Sequence, residues 1–283
     1  MGTGPKKWTE ELIARRVKEG RGLGDRESYS PWLYVQEFSS RGTQTRMPSL
    51  VLKRTIHTFS YLELALYLLW EFFLRQNLLD YKEQFPLDRR ITLAAAEGLG
   101  IRHPRYEKTR VPVVMTLDAV VTWLNSAGQR RFAAWDVKPT AELKHRRTLE
   151  KLSLHRACCA HLGIPHLLFT EKSFPKTLVN NIVWLRWSRR KNGEIEAIPG
   201  LLETHGALML EDLCNRHPDQ SIRNYCTEYD KRHCLPSGGA LRVLKVLLWQ
   251  RELTVDLTVP KIELQRVPCL PASPSAARLL RVA

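Results

Sequence analysis

Two apolar segments joined by a turn constrain the fold of this chain more than any other feature. Residues 111–124 are rich in β-branched and apolar side chains, and residues 130–138 form a second such segment that ends at Pro139. Residues 125–129, Asn-Ser-Ala-Gly-Gln, separate them with turn-forming side chains. This pattern predicts a β-hairpin, with the proline at a strand end where no ladder donor is needed.

The register of this hairpin brings two aspartates opposite each other. If the chain turns about residue 127, the numbers of paired residues sum to 254, so that Asp118 faces Asp136. Lys138 follows two residues later and is expected on the same face of the sheet. The odd-numbered positions, among them Leu117 and Trp135, are apolar and form the predicted core face.

Facing carboxylates have a cost that a cation can remove. Two like charges opposite each other destabilise a ladder pair by a few tenths to about 1 kcal/mol. A divalent cation between Asp118 and Asp136 would remove that repulsion, and oxygen ligands favour Mg²⁺ or Mn²⁺. The alternative is an exposed polar face on which Lys138 only neutralises Asp136.

A third carboxylate stands at the start of a predicted buried helix. Residues 61–74 are apolar nearly all round, which predicts burial. Ser60 is a good N-cap, and Glu63 follows three residues later with the spacing of a capping box. The same carboxylate could also point at a neighbouring metal, and both interpretations remain open. Glu71, two turns further along, is predicted to face solvent.

The charge balance indicates a polyanionic partner. The 283 residues carry 44 Lys and Arg against 29 Asp and Glu, a net charge of +15. Nucleic acid is the commonest such partner, with a merely soluble basic protein as the alternative. Neither a signal peptide nor a membrane span is predicted, so a cytoplasmic location is expected. The six cysteines are expected as free thiols. Those in residues 214–234 could form a zinc site with nearby histidines, but their spacing matches no standard motif.

The remaining segments predict an α/β core. A strand at 79–85, a helix at 148–161 and a strand at 165–170 surround the hairpin, which gives a mixed sheet flanked by helices. Residues 172–175 are predicted as a linker. A mostly helical, winged-helix-like domain is predicted after them. Its predicted helices lie at 176–186, 207–215, 220–234 and 241–249, and its predicted strands at 253–257 and 261–266. The predicted domains are therefore 1–171 and 172–267, followed by a mobile tail, 268–283, rich in Pro, Ala and Ser.

Several motifs, in this order along residues 8–185, resemble the TnsA family, the endonuclease subunits of the heteromeric transposases of Tn-seven-like bacterial elements. The matching stretches are Glu19-Gly20-Arg21-Gly22 with Pro31-Trp32, Ser60-x-x-Glu63, Glu83-Gln84-Phe85-Pro86-Leu87, Val114-Met115-Thr116-Leu117-Asp118, Val137-Lys138-Pro139 and Arg147-Thr148-Leu149-Glu150-Lys151-Leu152. The resemblance implies a restriction-endonuclease-like fold for the first domain, and it is weaker in the second.

The resemblance also implies a site. The catalytic Glu, Asp and Lys of the family fall on Glu63, Asp118 and Lys138. The best-known member has glutamine where this chain has Asp136, and the aspartate is expected to strengthen metal binding. The predicted ligands of one or two Mg²⁺ ions, for which Mn²⁺ can substitute, are Glu63, Asp118, Asp136 and the Val137 carbonyl.

The activity implied by the resemblance is cleavage of the 5′ (non-transferred) strands of double-stranded DNA at transposon ends. A TnsB-like transposase would cut and join the 3′ ends, and a TnsC-like AAA+ ATPase would regulate both. The expected products are a 5′-phosphate and a 3′-hydroxyl. Glu150 either supports the site from the following helix or is a plain surface acid. Two alternatives are a stand-alone restriction-like nuclease and a catalytically silent DNA-binding adaptor.

Overall fold

The computed structural model describes residues 7–37, 43–189, 198, 200–216 and 219–267, and for 214–216 the backbone alone. It divides the chain into two compact units, Met1–Ser173 and Phe174–Ala283. The predicted tail, 268–283, lies outside the described residues. No helix among the described residues has the length and apolar character needed to cross a membrane.

The first unit is built on a four-stranded mixed sheet. A separate antiparallel pair consists of β1 (Thr45–Pro48) and β2 (Thr55–Thr58). The sheet has the order β3 (Leu78–Pro86), β4 (Thr116–Leu124), β5 (Arg130–Val137), β6 (His166–Phe169). β3–β4 and β4–β5 pair antiparallel, whereas β5–β6 pair parallel. The predicted α/β fold with a mixed sheet flanked by helices is confirmed.

Helices cover both faces of this sheet. The helices of the first unit are α1 (Glu10–Lys18), α2 (Tyr61–Phe73), α3 (Arg89–Gly98) and α4 (Arg146–His161). Trp70 of α2 packs against Trp123 and Trp135, with ring centroids 4.9 and 6.2 Å apart. Cys158 and Cys159 of α4 pack on the other face of the sheet in a cluster with Ala134. Each large apolar side chain that is fully buried in this way contributes about 1.5–3 kcal/mol.

The hairpin has the predicted register but ends earlier than predicted. Pairs run from Leu124 and Arg130 to Ala119 and Trp135, and their numbers sum to 254, so the register is confirmed. The ladder stops there, so that the predicted facing pair of aspartates lies beyond it.

Strict alternation also fails at the end of the hairpin, and the predicted faces must be corrected. Leu117 packs in the same cluster as Val120 and Ala134, on the α4 face, although strict alternation would place it opposite them. Asp118, the neighbour of Leu117, therefore projects toward the α2 face. Beside it in β3, Gln84 has a left-handed backbone with φ 48°, which accompanies the change of face.

The second unit is helical. Its helices are α5 (Lys176–Arg186), α6 (Leu201–Arg216), α7 (Ile222–Arg232) and α8 (Gly239–Gln250). The strands predicted at 253–257 and 261–266 are wrong, because these residues form turns and a short 3₁₀ helix, Ile262–Leu264. In the described part of this unit, strand-like pairing is limited to a single antiparallel bridge between Ser221 and Arg266.

Side chains occupy the backbone groups that the predicted closing hairpin of the second unit would have used. The Gln265 amide bonds the backbone N–H and C=O of Asp256, at 3.2 and 2.7 Å. Asn181 Nδ2 donates to the carbonyls of Leu257 and Val259, at 2.9 and 2.8 Å. Because side chains satisfy these groups, no second strand is needed to pair with them.

Candidate active site

Glu63 both caps its helix and faces the candidate site. Ser60 Oγ accepts the Glu63 N–H at 3.2 Å, and the Glu63 carboxylate accepts from Ser60 Oγ at 2.9 Å and from the Phe59 N–H at 3.0 Å. The side chain is nevertheless buried, with the residue 8% exposed. Burial, reinforced by the negative charge of Asp118, raises the pKa of Glu63 to about 7. The two interpretations of Glu63 that the sequence left open are thus compatible.

Asp118 and Lys138 form a close ion pair where the hairpin ladder ends. Asp118 Oδ2 accepts from Lys138 Nζ at 2.8 Å and from the Val137 N–H at 2.7 Å. Lys138 Nζ also donates to the Val137 carbonyl at 2.8 Å. Burial alone would lower the pKa of Lys138, but the negative charge of Asp118 above all raises it above its ordinary value. Lys138 is therefore an ammonium ion throughout the physiological pH range.

The structure brings together three of the predicted site residues, Glu63, Asp118 and Lys138. The charges of Asp118 and Lys138 both act on the Glu63 carboxylate. Asp118 raises the pKa of Glu63 and Lys138 lowers it, and the effect of Asp118 is the larger. The two carboxylates come from different elements, α2 and β4, and they meet on the α2 face of the sheet.

Asp136 is bound elsewhere. Its carboxylate has no exposed surface and contacts two histidines. His155 Nδ1 lies 2.9 and 2.8 Å from Oδ1 and Oδ2, and His166 Nε2 lies 2.7 Å from Oδ2. Burial alone would raise the pKa of Asp136, but His155 above all, with His166, holds it well below the usual range. The predicted role of Asp136 as a metal ligand beside Asp118 stays a prediction, as does that of the Val137 carbonyl.

The two histidines were not found by the sequence reasoning, although signals for them exist. His155 lies on α4, whose neighbouring residues Cys158 and Cys159 pack against β5. His166 in the parallel strand β6 pairs with Ala134, two residue pairs before the pair of Asp136 with Leu168. A polar residue in a short apolar strand that lies beside a buried aspartate is the pattern that could have indicated this cluster.

Gln84 and Thr116 are further residues that the sequence reasoning did not assign to the site. Gln84 is buried, and its Nε2 lies 3.5 Å from Glu63 Oε2 while its Oε1 accepts from Thr116 Oγ1 at 3.1 Å. The left-handed backbone of Gln84 turns its side chain toward Glu63. The motif Glu-Gln-Phe-Pro-Leu, already noted in the sequence, was the available signal.

Two other carboxylates have clear local roles. Glu150 bonds Arg146 and Arg147 at 3.0 and 2.8 Å in ion pairs within its own helix, as a surface acid does. Glu71, predicted to face solvent, is fully buried, so that prediction is wrong. It accepts from the Leu50 N–H at 2.8 Å and from the Tyr67 hydroxyl at 2.6 Å. Leu50 is 21 residues away, and a tyrosine one helical turn away is common beside exposed glutamates too, so neither partner indicated burial in the sequence.

A cleft of about 460 Å³ borders Lys138. Its lining combines aromatic rings with basic side chains and includes Trp8, Trp32, Tyr106, Arg105, Lys151 and His155. Burial, together with the positive charges of Arg147 and Lys138, lowers the pKa of Lys151. Positive charge beside an acidic pair suits a phosphodiester, since the cations bind phosphate and the carboxylates can hold a cation that contacts it.

The zinc site considered for the cysteines and histidines of residues 214–234 lies only partly within the described residues. The Cys214 side chain and His217 lie outside the described residues. Cys226 is buried and Cys234 is exposed, and both are free thiols. Over the described ranges, Asp136, His155 and His166 are the one group that brings three metal-binding atoms within 4.8 Å of one another.

Comparison with known proteins gives a consistent result. A family model described as "TnsA-like endonuclease N terminal" matches residues 75–171, and one described as "TnsA endonuclease C terminal" matches residues 174–257. The chain is 35% identical over 240 residues to "Transposon Tn7 transposition protein TnsA" from Escherichia coli, which covers 85% of this chain and 84% of that protein. The first match includes Asp118 and Lys138, whereas Glu63 precedes it.

Proposed function

Because this chain belongs to the TnsA endonuclease family, we propose that it cleaves the 5′ (non-transferred) strands of DNA at transposon ends during cut-and-paste transposition. The observation that carries the proposal is the meeting of Glu63 and Asp118 with Lys138 beside a basic and aromatic cleft. Two carboxylates can hold a divalent cation that polarises a phosphodiester, and a lysine beside them can offset charge on the phosphate oxygens.

The residues present fit a divalent cation. Burial and the charge of Asp118 raise the pKa of Glu63 to about 7, so ionised Glu63 beside Asp118 carries a cost that Lys138 offsets only in part. Carboxylate oxygens are the ligands that Mg²⁺ and Mn²⁺ prefer. Bound to Glu63 and Asp118, such a cation would polarise the scissile phosphate and lower the pKa of the attacking water.

Lys138 has two tasks in the proposed reaction. Its ammonium group, 2.8 Å from Asp118 and 2.8 Å from the Val137 carbonyl, is held in one place before DNA binds. There it orients the attacking water and offsets the negative charge that develops on the phosphate oxygens. Attack of water on phosphorus, with breakage of the bond from phosphorus to the 3′ oxygen and protonation of that oxygen, leaves a 5′-phosphate and a 3′-hydroxyl. Asp136 is left out of this proposed set, because both of its oxygens already contact histidines.

The partners proposed for this activity are double-stranded DNA at transposon ends, a TnsB-like transposase for the 3′ strands and a TnsC-like AAA+ ATPase. The net charge of +15 supports a DNA partner. The protein partners rest on membership of the family, since a 5′-strand nuclease alone leaves the transposon joined to its donor by the other strand.

A strand-specific nicking assay tests the proposal. DNA carrying a transposon end, labelled on either strand, is incubated with the chain, its candidate partners and Mg²⁺, Mn²⁺ or EDTA. We expect 5′-strand nicks with either metal, none with EDTA, and loss of nicking by about 10³-fold or more in Lys138→Ala and Asp118→Asn. Glu150→Gln is the matched control, because its carboxylate binds Arg146 and Arg147 of its own helix, and it should nick normally.

The same assay separates the alternatives. Nicking at undiminished rate by Lys138→Ala or Asp118→Asn would remove these residues from the chemistry. Cleavage that needs no partner protein would indicate a stand-alone nuclease. A chain that binds end DNA and Mn²⁺ but never nicks would be a catalytically silent adaptor.

A further inference from the structure

The buried cluster of Asp136, His155 and His166 has the donor atoms of a transition-metal site. We propose that these three side chains bind one Zn²⁺ ion, at a place distinct from the Glu63 and Asp118 pair. Imidazole nitrogens favour Zn²⁺ and its first-row neighbours over Mg²⁺, which prefers oxygen ligands alone. Three protein ligands with a fourth position left for water is a common zinc arrangement.

The three donors converge from three different elements. Asp136 lies on β5, His155 on α4 and His166 on β6, and their ligand atoms all lie within 4.8 Å of one another. His155 presents Nδ1 and His166 presents Nε2 to the same carboxylate, 2.7–2.9 Å away. Ligand atoms around a tetrahedral zinc are about 3.3 Å apart, given Zn–N and Zn–O bonds of about 2.0–2.2 Å. The cluster would therefore need to open by about half an ångström.

Burial and access both suit an ion. Asp136 has no exposed surface, and a buried carboxylate requires a positive charge or several donors to balance it. The histidine side chains are 11% and 10% exposed, and His155 lines the cleft of about 460 Å³, which gives an ion a route from solvent. The simpler alternative is a metal-free ion pair in which an imidazolium neutralises Asp136.

This site would be separate from the proposed hydrolytic one. The α4 helix, which carries His155, covers one face of the sheet, whereas Glu63 comes from α2 on the other. An ion here would tie α4, β5 and β6 together two residues before Lys138, and it would thereby position this lysine. Binding must also displace the hydrogens that the two ring nitrogens share with Asp136, which makes zinc affinity fall at low pH.

Zinc titration of the full chain, freed of metal by EDTA and followed by calorimetry, tests the proposal without DNA or activity. We expect one Zn²⁺ per chain, bound at least about tenfold more weakly by His166→Gln and Asp136→Asn. Glu150→Gln and Cys234→Ser should bind like the parent chain, because they alter a surface carboxylate and the exposed thiol. Unchanged affinity in His166→Gln, or no zinc binding at micromolar concentrations, would overturn the proposal.

A second measurement uses only the parent chain, in case the variants do not fold. X-ray absorption of the zinc-loaded protein should show two imidazole ligands and oxygen donors, with no sulfur in the coordination shell. A sulfur ligand would place the zinc at cysteines and refute the assignment. An all-oxygen shell would place it at Glu63 and Asp118 and refute it equally.

Discussion

Replacing Glu63 by glutamine should stabilise the protein at high pH and not at low pH. The folded state raises the pKa of this carboxyl from 4.5 to about 7, mainly through burial. Keeping Glu63 ionised in the fold therefore opposes folding above the folded pKa, whereas below about pH 4.5 the carboxyl is protonated in both states and the cost vanishes. At 1.36 kcal/mol per pKa unit, the full cost is about 3 kcal/mol, reached by about pH 8.

The substitution also removes favourable contacts, and the pH dependence separates the two effects. A glutamine cannot accept as strongly from the Ser60 hydroxyl and the Phe59 N–H, which costs about 1 kcal/mol at every pH. The difference in unfolding free energy between Glu63→Gln and the parent should thus change by about 2.5 kcal/mol in favour of the variant between about pH 5 and pH 8. Saturating Mg²⁺ should stabilise the parent more than the variant.

Urea unfolding followed by tryptophan fluorescence, in EDTA and at both pH values, measures this difference. Glu150→Gln is the control, and its effect should be small at both pH values, since its carboxylate lies at the surface. An equal effect of Glu63→Gln at both pH values would refute the reasoning, because it would mean that Glu63 has an ordinary pKa in the folded chain.

Two further predictions concern buried charges away from the proposed chemistry. Glu71→Ala should lower the unfolding free energy by about 2–4 kcal/mol, because it leaves the Leu50 N–H and the Tyr67 hydroxyl without their buried acceptor. Urea unfolding would show this, and Tyr67→Phe, which removes only one of these donors, should cost less; equal stability of Glu71→Ala and the parent would contradict the argument. Arg54→Met should cost about 3–5 kcal/mol, because Glu83, 2.7 Å from Arg54 and 1% exposed, loses its positive partner and keeps the His57 N–H. The double variant with Glu83→Leu should recover part of that loss in thermal unfolding, and a double variant less stable than Arg54→Met would count against a buried ion pair as the cause.

The sequence predicted those features that depend on local patterns. Alternation and turn chemistry gave the hairpin and its register, and Ser60 with an apolar helix gave the start of α2. Alternation holds only as long as a ladder continues, however, and this ladder stops at Ala119 and Trp135. Beyond that point the direction of each side chain depends on tertiary partners, so the projection of Asp118 toward the α2 face could not be predicted.

Other differences have the same origin. The histidines that surround Asp136 come from residues 19 and 30 positions away, and the acceptor role of Glu71 depends on a loop 21 positions before it. The second unit lacks the predicted closing strands because side chains such as Gln265 satisfy the backbone there. Hydropathy and periodicity contain no information about such distant contacts.

The contact between Asp118 and the Val137 N–H has a consequence for which side chains position 118 can tolerate. A carboxylate oxygen stands there where a neighbouring strand would normally supply a main-chain carbonyl. Its reach is set by a single methylene, so a glutamate, with one more, would have to push the two strand ends apart or fold back on itself. Sheet geometry thus disfavours glutamate at this position independently of the reaction, even where a metal would accept either acid.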